Sequence, residues 1–331
     1  MSHLQHKLRN LYGLKTAGVK DLGIDTYKSY DEIFKSSLLY AAGLTKNHQE
    51  IITVVLPNSI EYIEILVACI ITGNIFNPIP FFTSDDELER ILKYIQPKLL
   101  ISSRDFHKKP DLNEFCIKPS EFSESSATLS SLSELEIAGS EIAALYYSSG
   151  TTGSPKGVLY SHDNVFYLIN SINNGFGFNR DTKHLAILPF GHTASINYNI
   201  FPSLFNCSNL IIAESFSRIA PNFFKILSEE EINYTQLVPT IIYMLLKIKY
   251  EIKNLNLNFL MFIGCGSSIL PKETQNQFQE KFGIKIGNLY GLSETGPSHI
   301  DDPRRDNWIP GSIGVPLDVN ECKLTSDYEL L

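Results

Sequence analysis

Cysteine is scarce in this chain of 331 residues. Its five thiols, Cys69, Cys116, Cys207, Cys265 and Cys322, are odd in number and form no Cys-x-x-Cys pair. Neither a disulfide framework nor a zinc knuckle is therefore expected, and a reducing cytoplasm is the default compartment. Long apolar runs are missing too. The clearest, Ile65 to Ile71, stops at Thr72-Gly73-Asn74, well short of the roughly 20 residues of a membrane helix. The polar start, Met1-Ser2-His3-Leu4-Gln5-His6-Lys7, carries no apolar signal core. Basic runs are lacking: 28 Lys and Arg against 36 Asp and Glu give a formal charge of −8. That argues against nucleic-acid binding through phosphate neutralisation, but leaves room for one small anion in a locally positive pocket. What is present is core-forming material, 43% hydrophobic with 20 Phe and 16 Tyr, which excludes global disorder.

The first part of the chain alternates helix and strand signals. Ser29 and Glu32 have capping-box spacing ahead of a helix through Ile33, Phe34 and Leu38. Ile51 to Leu56 reads as a buried strand. Asn58 and Glu61 repeat the cap spacing before a helix that Gly73 ends. Ile75-Phe76 is a short strand, Ser84 opens another helix, and Lys98 to Ser102 is the next strand. This rhythm predicts an α/β fold with a doubly wound parallel sheet. Seven serines between Ser120 and Ser133 mark a surface connection, and subdomains are expected over roughly 1–135 and 136–331. Beyond it lie strand signals at Ile142 to Tyr147, Leu185 to Leu188, Leu210 to Ala213, Phe259 to Ile263 and Lys285 to Leu289. Helices are expected at Asp163 to Ile172, Ala194 to Leu204, Pro239 to Lys249 and Lys272 to Phe282.

The strand from Ile142 runs into Ser148-Ser149-Gly150-Thr151-Thr152-Gly153-Ser154-Pro155-Lys156-Gly157, ahead of the helix near Asp163. Glycines let backbone N–H groups approach an anion, hydroxyls donate to it and a lysine supplies charge, so the loop suits a polyphosphate. It is no Walker A loop, since Pro155 precedes Lys156 and Gly157 follows it. Gly291-Leu292-Ser293-Glu294-Thr295 nearly spells a nucleophile elbow, but its last position is Thr, and the sequence places neither the His nor the acid of a hydrolase.

The string Tyr146 to Val158 resembles the phosphate-binding signature of the adenylate-forming superfamily, the acyl-CoA synthetases, adenylation domains and luciferases. Ser161-His162-Asp163-Asn164 continues it, with His162 in a structural position. Asn288-Leu289-Tyr290-Gly291-Leu292-Ser293-Glu294-Thr295 resembles the second nucleotide motif, and Gly264-Cys265-Gly266-Ser267-Ser268 the glycine-rich segment beside adenine and the acyl pocket. Val238-Pro239-Thr240 and Pro310-Gly311-Ser312-Ile313-Gly314 also match. The likeness implies the large N-terminal domain of such enzymes, with doubly wound sheets and a β-rich subdomain. It implies activation of a carboxylic acid by ATP to an acyl-adenylate and pyrophosphate. Lys156 with Ser148, Ser149, Thr151 and Thr152 would hold the β- and γ-phosphates. Tyr290 would pack on adenine, Ser293 would touch the α-phosphate and Glu294 would hold Mg²⁺.

By the same resemblance Pro189-Phe190-Gly191-His192 falls beside the substrate carboxylate, with Phe190, Ile196, Asn197 and Tyr198 as lining residues. Amino-acid-activating relatives usually carry an Asp where His192 stands. A neutral imidazole offers no partner to a buried ammonium, which favours a fatty, aryl or other non-amino acid. The acyl acceptor would be CoA, or the phosphopantetheine of a carrier protein. The sequence ends soon after Pro310 to Gly314, so the small lysine-bearing C-terminal domain of the family is absent from it and adenylation by this chain alone is expected to be impaired. A non-catalytic nucleotide- or acid-binding protein is the alternative of a different class.

Overall fold

The computed structural model describes residues 1–44, 48–107, 109–122, 135–148, 156–327 and 330. In chain order its strands are β1 (Gly18–Asp21), β2 (Thr26–Ser29), β3 (Ile51–Val55), β4 (Ile75–Pro78), β5 (Leu99–Ser102), β6 (Cys116–Ile117), β7 (Ile142–Ser148) and β8 (Lys156–Ser161). They continue as β9 (His184–Ala186), β10 (Leu210–Ile212), β11 (Tyr234–Leu237), β12 (Phe262–Cys265), β13 (Ile286–Leu292), β14 (Gly296–Ile300) and β15 (Val315–Pro316). Among the described residues these form two sheets, a six-stranded one in the order β6-β5-β3-β4-β7-β8 and a nine-stranded one in the order β15-β14-β13-β12-β11-β9-β10-β1-β2. Both are parallel at their centres and antiparallel at edges, as at β7–β8, β1–β2 and β13–β14–β15. The expected α/β class with doubly wound sheets is what the chain adopts. The sheets exchange strands across residue 135: β7 and β8 join β3 to β6, while β1 and β2 lie with β9 to β15.

Local chemistry explains most helix boundaries. Glu32 accepts from Ser29 N (2.8 Å) while Ser29 Oγ accepts from Glu32 N (3.3 Å), a reciprocal cap on the helix Tyr30–Leu44. The helix Ile60–Thr72 is buried along nearly its whole length and ends at Gly73 with φ 72°. Its cap is Ser59, whose Oγ accepts from Tyr62 N, and not the expected Asn58. Asn58 is used elsewhere. Its amide donates to Leu188 O (2.9 Å) and Ala213 O (3.0 Å) and accepts from Phe190 N (2.9 Å). A buried side chain on the loop after β3 thus stitches the smaller sheet to the chain leaving β9 and β10 of the larger one.

Two histidines are buried neutral. His162 is fully buried, takes part in a 3.1 Å hydrogen bond with Ser2 Oγ, and burial pulls its pKa down to about 4. His184 is enclosed by Phe178 and Tyr234 and is pulled down to about 3, again by burial. No helix among the described residues is long and apolar enough to cross a membrane.

Removing the Asn58 amide strands two carbonyls and one N–H inside the protein. Asn58→Ala is expected to cost about 2–4 kcal/mol in urea unfolding, and a loss under 1 kcal/mol would contradict the stitching role. Both histidines have folded pKa values below their unfolded ones. The unfolded chain therefore binds more protons below about pH 6.5, and stability present at neutral pH is lost as pH falls from about 6.5 toward 4 and below. His162→Asn should flatten the thermal-unfolding midpoint over that window relative to wild type, when both are followed by circular dichroism.

Candidate active site

β7 and β8 form an antiparallel hairpin in which Ser148 pairs with Lys156, so residues 149–155 connect two strand ends that lie side by side. The sequence reading took this segment straight from loop to helix. The structure inserts β8 and starts the helix at His162, where Ser161 Oγ accepts from Asn164 N (3.1 Å) and Asn164 Oδ1 from Ser161 N (3.0 Å). Ser149, Gly150, Thr151, Thr152 and Gly153 lie outside the described residues. Lys156 stands exposed at the mouth of the hairpin.

The second motif is also a hairpin, β13 to β14, with a register shift at Tyr290/Gly291. Its turn is closed by Thr295, whose Oγ accepts from Leu292 N (3.1 Å) and donates to Gly296 O (2.8 Å). Gly296 has φ 67°, and a Cβ there would stand 2.7 Å from Leu168, so only glycine fits the return. The Ser293 hydroxyl donates to Tyr147 O (3.2 Å), and the Tyr160 hydroxyl donates to Ser293 O (2.8 Å). The two motifs, more than 130 residues apart in sequence, are thereby bound to each other. Burial first, and the Glu294 charge second, push the Tyr160 phenol well above its ordinary pKa and keep it a donor. In this geometry the Ser293 proton is committed to Tyr147. Glu294 is exposed, and among the described residues nothing pairs with its carboxylate. Tyr290 is 38% exposed and meets the His299 ring edge-on at 5.8 Å.

Beside this hairpin runs the glycine segment. β12 and β13 are parallel, with Gly264 opposite Gly287 and Cys265 opposite Asn288. A Cβ on Gly266 would stand 3.0 Å from Leu289 O, so the two motif strands nearly touch. Ser267 takes φ 70°. Cys265 contributes its backbone only: its side chain packs into the core beneath the sheet, and burial pushes the thiol up to about 12. Leu289 packs in the main core. Asn288 Nδ2 donates to Ser312 O (2.8 Å), fixing Pro310 to Gly314 against the site.

The third group stands where the two sheets approach. Gly191 passes so close to Pro80 that a Cβ would lie 2.2 Å from its nitrogen. His192 follows, exposed, 6.3 Å from the Phe82 ring. The loops around the imidazole withdraw enough water to lower its pKa and favour the neutral form. Phe190 is 1% exposed and packs edge-on against Tyr62 at 5.1 Å, its carbonyl held by the Tyr62 hydroxyl. Ile196 and Tyr198 lie buried in a π-helical turn, Ile196–Ile200, flanked by the short helices Thr193–Ser195 and Phe201–Asn206. His192 is therefore open at the mouth while Phe190 and Ile196 support it from the core. Sequence reasoning missed Tyr160, Tyr147 and Phe82. The β-favouring run Val158-Leu159-Tyr160 is the available signal, hidden because the segment continues directly from the loop. Among the described residues no His, Cys, Asp and Glu cluster is arranged to hold a metal. A surface cavity lined by Leu22, Ala213 and Arg218 lies toward β1 and β10, at the far end of the sheet order from the motifs.

The chain belongs to the AMP-binding enzyme family, whose family model matches residues 11–330. Its curated relatives are CoA ligases. It is 30% identical over 210 residues to a 2-hydroxy-7-methoxy-5-methyl-1-naphthoate–CoA ligase of Streptomyces carzinostaticus, covering 62% of this chain and 37% of that one. It is 27% identical to a 4-coumarate–CoA ligase of Vanilla planifolia, covering 82% and 54%. The chain spans about half the length of the curated relatives it matches. In fold it is similar to ATP-bound MatB from Rhodopseudomonas palustris, with a TM-score of 0.85 at 19% identity over 100% of this chain and 68% of that one. The AMP complex of O-succinylbenzoate coenzyme A synthetase from Bacillus subtilis gives 0.82 at 20%, over 100% and 84%.

Tyr160→Phe leaves Ser293 O without its donor while keeping the ring. It is expected to lower stability by about 1 kcal/mol in urea unfolding and to weaken ATP binding roughly tenfold by calorimetry. Unchanged affinity would show that the Ser293 turn holds its place unaided.

Proposed function

We propose that the protein to which this chain belongs activates a non-amino carboxylic acid with ATP, forming an acyl-adenylate and pyrophosphate and then passing the acyl group to a thiol, CoA in the first instance. The observation that carries this reading is the docking of the Ser293 turn on the β7–β8 hairpin, in which Lys156 pairs with Ser148. The carboxyl ends of β12 and β13 add Gly264, Gly266 and Tyr290 on one side, and His192 lies at the seam of the two sheets. Open α/β sheets bind nucleotides outside the carboxyl ends of their strands, which supports this reading.

Lys156, with Ser148 and the hydroxyls of the connecting loop, would hold the β- and γ-phosphates. Tyr290, more than a third exposed, offers a face to the adenine. Ser293 reaches the α-phosphate by turning its proton away from Tyr147 O. An exposed carboxylate unpaired among the described residues suits a hard cation, and Glu294 would hold Mg²⁺, which when bound neutralises phosphate charge. The acid lies near His192, whose neutral ring donates to the carboxylate without demanding a counter-charge. One carboxylate oxygen attacks the α-phosphorus, its new P–O bond forms, and the bond to the bridging oxygen breaks with departure of pyrophosphate. The missing partner for an ammonium argues for fatty, aryl or other non-amino acids. A carrier protein in place of CoA is a second acceptor for the same chemistry.

Acid-dependent ATP–pyrophosphate exchange tests the first half-reaction. Exchange is expected with some aliphatic or aryl acids and with no α-amino acid, and Lys156→Ala should reduce it by about 100-fold. Exchange driven only by amino acids would contradict the acid class, and full activity in Lys156→Ala would remove the phosphate role.

A further inference from the structure

Two turns meet where the sheets approach. The one after β4 is closed by Thr83 N donating to Pro80 O (2.9 Å), and the one from Pro189 by His192 N donating to Pro189 O (3.0 Å). Gly191 lets their backbones touch, and Phe82 lies 6.3 Å from the His192 ring. Phe82 is 70% exposed, so core packing does not fix it. The backbone on either side of it is held instead. Arg104, on the loop after β5, donates from Nη1 to Phe81 O (3.1 Å) and to Thr83 O (2.6 Å). From Nη2 it donates to Asp85, at the start of the helix Asp85–Ile95. The guanidinium is only 17% exposed and lies over the buried Phe106 ring at 5.1 Å. A planar fork seated on a ring is already oriented for these bonds, and a lysine cannot reproduce them all. Arg104 and Asp85 are paired with each other, and burial, not a nearby charge, lowers the His192 pKa.

We propose that Arg104 is a positioning residue for the reaction at His192: by gripping the carbonyls on both sides of Phe82, it holds that ring as a cover on the imidazole. This rests on the functional reading, in which the carboxylate of the acid lies near His192. A hydrogen bond from a shielded imidazole to a carboxylate is stronger than one made in open water, where water competes for both partners. Without the grip, the two carbonyls turn to water and the exposed ring swings away from His192. Arg104 acts on the turn, so its effect passes through Phe82.

NMR titration of His192, assigned by the signal lost in His192→Asn, reads the cover with no ligand present. Phe82→Ala and Arg104→Ala should each raise the His192 pKa toward the ordinary value of about 6.5, with Arg104→Lys falling between wild type and Arg104→Ala. The double variant should match Phe82→Ala alone, since the grip has nothing to hold once the ring is gone. Acid-dependent ATP–pyrophosphate exchange reads the use of the cover, at about pH 8, where the imidazole is neutral in every variant. Both alanine variants should raise the KM of the acid roughly fivefold and leave the KM of ATP within about twofold. No movement of His192 in Phe82→Ala, or shifts that add in the double variant, overturns the positioning role. Equal rises in both KM values overturn it too, as the mark of a general loosening. If wild type shows no exchange with any acid while His192 still responds to Arg104→Ala, the functional reading falls and the linkage from Arg104 to His192 stands.

Discussion

One short contact, the Tyr160 hydroxyl on the carbonyl of Ser293, holds two sequence motifs together across the two sheets. The β7–β8 hairpin belongs to the smaller sheet and the β13–β14 hairpin to the larger, and the two sheets share no strand ladder. What joins them at the motif end is Tyr160 to Ser293 and Ser293 to Tyr147. On the other flank Asn58 ties the loop after β3 to the chain leaving β9 and β10.

These ties are polar and largely buried, which gives them direction. Apolar packing alone would let the sheets slide, because it rewards area and not register. A carbonyl that loses its only donor inside the protein has no cheap alternative, so Asn58 and Tyr160 fix relative position as well as adding stability. The same holds within the site. The Ser293 turn is closed by Thr295, and the glycine segment is backed by Tyr234 and Gln236, bonded to each other. Neutral, buried His162 belongs to this framework. The exposed His192 stands apart from it.

Periodicity and capping chemistry made the parallel strands and the helices between them readable, because Ser29, Ser84 and Gly73 act through neighbours in the chain. The motifs stand out in the sequence because glycines, hydroxyls and a lysine in that order have few other uses. What could not be read depends on partners far away in sequence. Asn58 looked like a helix cap because its helix-capping neighbour Ser59 is equally competent, and only Leu188 and Ala213, distant in sequence, reveal where its amide goes. The hairpin β1–β2 and the strand β8 were missed for a related reason. They lie toward sheet edges, with β2 and β8 outermost, and pairing, not composition, makes them strands. The π turn at Ile196–Ile200 read as plain helix, since backbone bonding and not side-chain pattern distinguishes the two.

Under the proposed function the two hairpins, one from each sheet, act as one nucleotide site. Hydrogen–deuterium exchange with and without ATP and Mg²⁺ addresses it most directly. Joint slowing of amide exchange in residues 142–161 and in residues 286–300 on adding nucleotide is the predicted result. Protection of one hairpin alone, or of neither, would contradict the account.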